Sequence, residues 1–264
     1  MPYYHHIKKY AENSIRNIER KNSFAPKWFS IIFNPFFISR FYLYKELTRF
    51  ASAYTESGKK ILDVGCGTKP YKSLFKNNNY IGIDIDKKEN SDRNKKQDIF
   101  FDGETIPFGD EEFDIVITTE VFEHVENLEK LTKEINRVLK ENGILFITTP
   151  FVWPEHETPY DFRRLTTFGH KKLLSENNFT NIKINKTTGV FGTSGQIISA
   201  FFTSALENIS LSYKTEFILK RLINILICFP IQLFFLLLDI IFRKKGITLD
   251  YIVLAEKYNA ELKN

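Results

Sequence analysis

Cysteine is scarce: the 264 residues contain two, Cys66 and Cys228. That number excludes a disulfide framework and fits a reducing compartment. Residues 1–20 are polar and lack the apolar core of a secretory signal, so export is not expected. No long basic stripe with interleaved aromatics occurs. Basic residues sit in scattered doublets such as Lys59-Lys60, Lys87-Lys88 and Arg163-Arg164, so a net charge of +5 does not amount to a nucleic-acid surface. Internal repeats and low-complexity tracts are also missing. His5-His6 stands alone near the start, and no metal site is expected in the chain.

Apolar residues are plentiful by contrast. Aromatic side chains, Phe above all, are densest in residues 24–44 and 217–242, and the stretch between has the balance of an ordinary globular enzyme. From Lys59 onward, short β-type runs alternate with helical patterns, the signature of βαβ units and a parallel sheet. Strands are expected at 60–64, 80–83, 98–101, 114–118, 143–148, 181–186 and 250–256. Helices are expected at 38–54, 71–76, 121–139, 167–177 and on both sides of Pro230. About 60 residues separate the last two strands, which marks an insertion.

The first strand runs into Asp63-Val64-Gly65-Cys66-Gly67, where glycines permit positive φ and let a ligand lie against the backbone. The second strand ends on Asp84, about 20 residues on, a carboxylate suited to the two hydroxyls of a ribose. Without a third glycine two residues after Gly67, the dinucleotide fingerprint is incomplete and a nicotinamide enzyme is disfavoured.

Ile61-Leu62-Asp63-Val64-Gly65-Cys66-Gly67 resembles the first motif of class I S-adenosylmethionine-dependent methyltransferases of the small-molecule type (type 11). The similarity continues through Asp102-Gly103-Glu104-Thr105-Ile106-Pro107-Phe108, Phe113-Asp114-Ile115-Val116, Glu120-Val121-Phe122-Glu123-His124 and Leu139-Lys140-Glu141-Asn142-Gly143. It implies an α/β fold: a Rossmann-like sheet of seven strands with helices on both faces, here with an apolar helical insertion before the last strand. It also implies S-adenosyl-L-methionine as cofactor. Asp63, Gly65, Cys66 and Gly67 would cradle its methionine end, Asp84 its ribose, and Asp102, or else Asp98, its adenine amino group. Thr119 and Glu120 would border the sulfonium. One departure is Lys69, where the family often has glycine; its side chain is expected to crowd or contact the cofactor carboxylate. Glu123 and His124, early on a helix, are read as a capping charge and a packed histidine, or else as residues facing the cleft.

Beyond the fifth strand comes Pro154-Glu155-His156-Glu157-Thr158-Pro159-Tyr160-Asp161-Phe162-Arg163-Arg164, too rich in proline and ionisable groups for a core element. Ligands of open parallel sheets bind beyond the carboxyl ends of strands, where this segment begins. It resembles a stretch of methyltransferases from bacterial surface-polysaccharide gene clusters, which implies a glycan or glycolipid acceptor. His156 is the expected general base, with Asp161 next.

Residues 222–238 are apolar apart from Asn224 and Gln232, with basic residues at Lys220-Arg221 and Arg243-Lys244-Lys245. If 250–256 is a sheet strand, a single membrane span would strand it across the bilayer. An in-plane or re-entrant hairpin with residues 195–211 at the inner membrane face, with peripheral membrane contact, is expected instead; the alternative is a buried or oligomeric helix pair. The expected organisation is an arm and cap helix (1–57), a cofactor-binding core (58–188), the insertion (189–248) and the last strand with its tail (249–264). Alternatives to glycan methylation are methylation of a quinone or other lipid, and a catalytically silent cofactor-binding scaffold.

Overall fold

The computed structural model describes residues 24–85, 96–205, 213–242 and 246–258. The polar segment 1–23, Lys87-Lys88 and Arg243-Lys244-Lys245 lie outside the described residues. Two compact units are present: one from the described part of Glu46–Gly189 and Lys245–Asn264, the other from the described part of Met1–Lys45 and Val190–Lys244. The described aromatic segment after residue 23 groups with the insertion.

The first unit holds the expected seven-stranded sheet: β1 (Lys60–Val64), β2 (Asn79–Ile85), β3 (Ile99–Phe101), β4 (Phe113–Thr119), β5 (Leu139–Pro150), β6 (Phe179–Lys186) and β7 (Asp250–Lys257). Their order is β3-β2-β1-β4-β5-β7-β6. Ile61, Leu62, Val64, Val116 and Ile117 are all buried, as central parallel strands covered on both faces require. Alternation alone implied an all-parallel sheet, but β7 runs antiparallel to both β5 and β6. Lys186 at the end of β6 pairs with Tyr251 at the start of β7, so the chain re-enters the sheet from the end at which it left. The order reverses between β1 and β4, which opens a crevice at their carboxyl ends.

The helix expected over 121–139 is shorter. Phe122–His124 forms a 3-10 turn, and α2 covers only Leu128–Val138, after α1 (Phe37–Tyr54). Val125 is extended, and the Asn127 side chain accepts a hydrogen bond from Lys130 N, which makes Asn127 the cap that starts the helix. Leu128, Leu131, Ile135 and Val138 then form its buried face. Likewise, 71–76 holds only a 3-10 turn at Lys72–Phe75. Thr167–Glu176 is α3.

The second unit contains α4 (Val190–Ser204), α5 (Tyr213–Ile223), a π-turn at Asn224–Cys228 and α6 (Phe229–Ile241). Pro230 does not divide two helices as expected. It sits in the first turn of α6 behind the π-turn, where its missing N–H and its ring are accommodated. Thr215–Ile241 is therefore one helical run of 27 residues, by length and composition able to cross a membrane.

Burial in this unit is inverted. Gln232 and Asp239 are 0% and 1% exposed, while Leu226, Phe234 and Ile240 are 68%, 58% and 64% exposed. The inward polar groups are engaged: Gly192 N donates to Asp239 Oδ1 (2.9 Å), Gln232 Nε2 to Asn34 O (3.1 Å) and Gln196 Nε2 to Pro35 O (2.8 Å). A Cβ on Gly195 would lie 2.5 Å from Phe235 Cβ, so α4 and α6 approach as closely as glycine allows.

Candidate active site

The turn after β1 is built on two glycines with different reasons to be glycine. Gly65 has φ +74°, and an added Cβ would come within 2.4 Å of Val121. Gly67 has φ +50°, but its Cβ would project into open space. Asp84, at the end of the neighbouring β2, accepts from Gly67 N through Oδ2 and from Ile85 N through Oδ1, both at 2.8 Å. The carboxylate thereby couples the two strand tips.

Lys69 does not crowd this turn. Its ammonium lies 2.5 Å from Asp98, and its side chain is buried over Gly82, where any Cβ would meet Lys69 Cε at 2.5 Å. Asp98 also accepts from Gly82 N (2.8 Å), so it is committed to holding this loop. Desolvation opposes its ionisation, but Lys69 and Gly82 N–H outweigh that and hold its carboxyl below the usual range.

A cavity of about 380 Å³ opens at the switch point. Gly65, Gly67, Asp84, Asp102 and Glu120 line it; Asp63, Cys66 and Thr119 do not. Asp102 Oδ1 accepts from Glu104 N (2.8 Å) and Thr105 N (2.7 Å), which holds the carboxyl low and ionised on the cavity wall. Glu120 is left-handed, φ +55°, a conformation that costs a non-glycine residue about 1–3 kcal/mol. Thr148 holds it there: Glu120 N donates to Thr148 O (3.0 Å), and Thr148 Oγ1 donates to Glu120 Oε1 (2.7 Å).

Asp63 lies buried in β1, just before the turn. Tyr80 hydroxyl donates to its Oδ2, while Oδ1 has no partner among the described residues. Burial pushes this carboxyl up to about 7. Cys66 is buried, and desolvation together with the Asp63 and Asp84 charges pushes its thiol up, so it is not a nucleophile. Thr119, at the end of β4, pairs with Thr148 of β5.

The turn after β4 and the proline-rich segment after β5 come together. Phe162 N donates to Glu123 O (2.8 Å), and the Arg163 guanidinium donates to the Val125 and Glu126 carbonyls. Asp161 lies behind His156: Arg164 grips it at 2.5 and 2.8 Å, and His156 N donates to it at 3.0 Å. Arg164 first, against desolvation, holds the Asp161 carboxyl well below the carboxylate range, so it orients neighbours and is a poor proton acceptor. Burial and the nearby His124 lower the His156 pKa. Its ring stands edge-on to His124 with centroids 4.8 Å apart.

Neither His156 nor Asp161 lines the cavity, whereas His124, Glu157 and Tyr160 do. His124 and Glu123 are the residues that sequence reasoning undervalued, because it treated them as the start of a helix that forms only at Leu128. Glu123 is 1% exposed, and neither carboxylate oxygen has a hydrogen-bond partner among the described residues. Desolvation first, then the Glu120 charge, pushes its carboxyl well above the usual range.

Residues 62–147 match the methyltransferase domain family. The chain is 28% identical over 176 residues to a demethylmenaquinone methyltransferase of Staphylococcus saprophyticus, covering 51% of this chain and 76% of that protein. It is 33% identical over 139 residues to an uncharacterized protein of Methanocaldococcus jannaschii, covering 48% of this chain and 67% of that one. Phosphoethanolamine N-methyltransferase 2 of Haemonchus contortus, solved with S-adenosyl-L-methionine, shares the fold at a TM-score of 0.53 and 17% identity, over 87% of this chain and 56% of that one.

Proposed function

The chain belongs to the S-adenosylmethionine-dependent methyltransferases, and from that premise we propose that it methylates a hydroxyl of a lipid-linked sugar at the inner face of the cell membrane. The observation that carries the lipid part is the inverted burial of α4–α6, with polar side chains inside and Leu226, Phe234 and Ile240 outside. That distribution suits a lipid surface and is unfavourable in water. The wall formed by His124, Glu157 and Tyr160 suits a polyhydroxylated acceptor.

The cavity fits the cofactor on its own features. Gly67 would leave room for a ligand at the turn, and Asp63 Oδ1 is a buried acceptor in want of a cation. S-adenosylmethionine supplies an electrophilic methyl group carried on a sulfonium. Gly65 and Gly67 would bring backbone against the methionine end, with Cys66 and the Asp63 carboxylate buried behind them and Asp63 acting on the ammonium through its charge. Asp84, on the cavity wall, would accept from the ribose hydroxyls. Asp102 would accept from the adenine amino group, and Thr119 and Glu120 would border the sulfonium. His124 lines the acceptor end, and His156, packed edge-on behind it, would act on the acceptor oxygen through small shifts of that pair. Positioning of this kind supplies much of the rate in an in-line displacement.

Asp63 makes cofactor binding proton-linked. An unfolded Asp ionises near pH 4, about 3.9 in reference peptides, whereas the folded group does so near 7. Its contribution to stability is therefore present below about pH 4 and is lost as pH rises towards 7. An ammonium beside it reverses the shift, so binding at pH 6 should release close to one proton. Calorimetry in buffers of different ionisation heat measures this release, and Asp63→Asn should abolish it. Proton-neutral binding by the unmodified protein would remove Asp63 from the cofactor site.

Both ends of the insertion return to adjacent strands, so any crossing must be even in number. The 15 residues of α4 rise about 22 Å at ~1.5 Å each, short of a hydrocarbon core about 30 Å thick. The pair therefore lies in the bilayer surface without crossing it.

Methylation of a quinone is a second reading, favoured by the likeness to a demethylmenaquinone methyltransferase. Incubation with labelled methyl donor and membrane extract, followed by separation of glycolipid from quinone, tests both. Label is expected in glycolipid. His156→Ala should lower turnover by about 100-fold or more, with cofactor affinity unchanged. Label confined to quinone would overturn the sugar assignment. Full activity of His156→Ala across pH would remove that residue from the acceptor end.

A further inference from the structure

We propose that Glu123, His124 and His156 form a binding site for a divalent transition-metal cation beside the cavity. Each offers one ligand atom, and these atoms lie within 4.8 Å of one another. Adjacent residues seldom chelate together, and sequence spacing hides this group. Glu123-His124 follow β4, His156 follows β5, and the fold alone brings them together.

Three observations point to a cation. Glu123 is buried with both carboxylate oxygens unpartnered among the described residues, an unusual state for a native side chain. Each imidazole has its Nδ1 against an acceptor. His124 Nδ1 is 2.7 Å from Tyr160 O, and His156 Nδ1 is 3.2 Å from Asp161 Oδ2 and 3.3 Å from Pro154 O. A carbonyl or carboxylate there requires Nδ1–H, which leaves the lone pair of each neutral ring on Nε2. That is the orientation metal-bound histidines take, with the far nitrogen donating to a carbonyl or carboxylate. Lastly, His124 Nε2 lies 3.6 Å from Glu123 Oε1 and 3.8 Å from Glu157 Oε1, so a second carboxylate stands within reach as a further ligand.

Two imidazoles and a carboxylate suit zinc, manganese or cobalt better than magnesium or calcium, which prefer all-oxygen shells. His124 and Glu157 line the cavity, so the cation would be open to an acceptor oxygen. Its use in catalysis rests on the methyltransferase reading. A cation held there would make a bound acceptor hydroxyl more acidic, and Glu157, on the cavity wall, would take its proton where it is not itself a ligand. The acceptor oxygen would then bond to the methyl carbon, and the carbon–sulfur electron pair would leave with sulfur. His156 is a ligand in this account.

The test uses the full, tag-free chain, stripped with chelator and titrated with Co²⁺ by visible absorption and with Zn²⁺ by calorimetry. One equivalent is expected to bind, with a Co²⁺ spectrum of mixed nitrogen and oxygen coordination. Glu123→Gln and His156→Ala should each weaken binding at least tenfold while leaving S-adenosylmethionine affinity unchanged. If Glu123→Gln does not fold, His156→Ala carries the test, since its ring is partly exposed. Absence of saturable binding, or equal affinity in His156→Ala, would overturn the site. Cofactor binding is measured separately, so failure of the cation site is distinct from failure of the methyltransferase reading.

Discussion

Replacing Asp84 with alanine is expected to abolish detectable S-adenosylmethionine binding while the sheet still folds. Each hydrogen bond from a ribose hydroxyl to a charged carboxylate contributes roughly 1.5–3 kcal/mol. Losing two weakens binding by about 100-fold to 10,000-fold. The variant also frees Gly67 N and Ile85 N, which Asp84 now holds at 2.8 Å, so the turn after β1 loses its brace. Asp84→Asn separates these effects, because an amide oxygen still accepts from one of the two N–H groups. Calorimetry reads both variants, and unchanged affinity in Asp84→Ala would remove the residue from the ribose site.

The triple variant Leu226→Lys, Phe234→Lys, Ile240→Lys should release the protein from membranes without disturbing its fold. All three side chains are more than half exposed, so lysine can reach solvent at each position, at the cost of the Phe234–Phe235 ring contact. Burying a large apolar side chain is worth roughly 1.5–3 kcal/mol. Losing three reduces partitioning by a factor on the order of 1,000 or more. Flotation with vesicles containing anionic lipid measures this: the unmodified chain should float and the variant should stay below. A cysteine placed at Phe242 should also escape an impermeant thiol reagent added to intact cells. Labelling there would mean that the chain crosses, and a wild-type protein that ignores vesicles would remove the lipid surface altogether.

Part of the cavity lining was legible because its placement is local. Gly65, Gly67, Asp84 and Glu120 lie at or just past strand ends, and strand ends in an open α/β sheet converge at one crevice. The pairing of Lys69 was not legible because its partner, Asp98, is 29 positions away in the chain, and no local pattern records an ion pair of that span. Val121 was taken as the start of a helical face, yet it packs on Gly65. The left-handed Glu120 turns the chain there, and Asn127 delays the helix.

By itself the sequence determined the seven strands, the nucleotide-type turn and the position of the apolar insertion. Hydrophobic period and glycine placement act over a few residues, and short-range sterics decide them. Only the tertiary structure decided the direction of β7, the inward turn of Gln232 and Asp239, and the meeting of Glu123 with His124 and His156. Such features depend on which distant groups must satisfy one another once water is excluded. A buried carboxylate or amide finds its partner by packing and not by position in the chain.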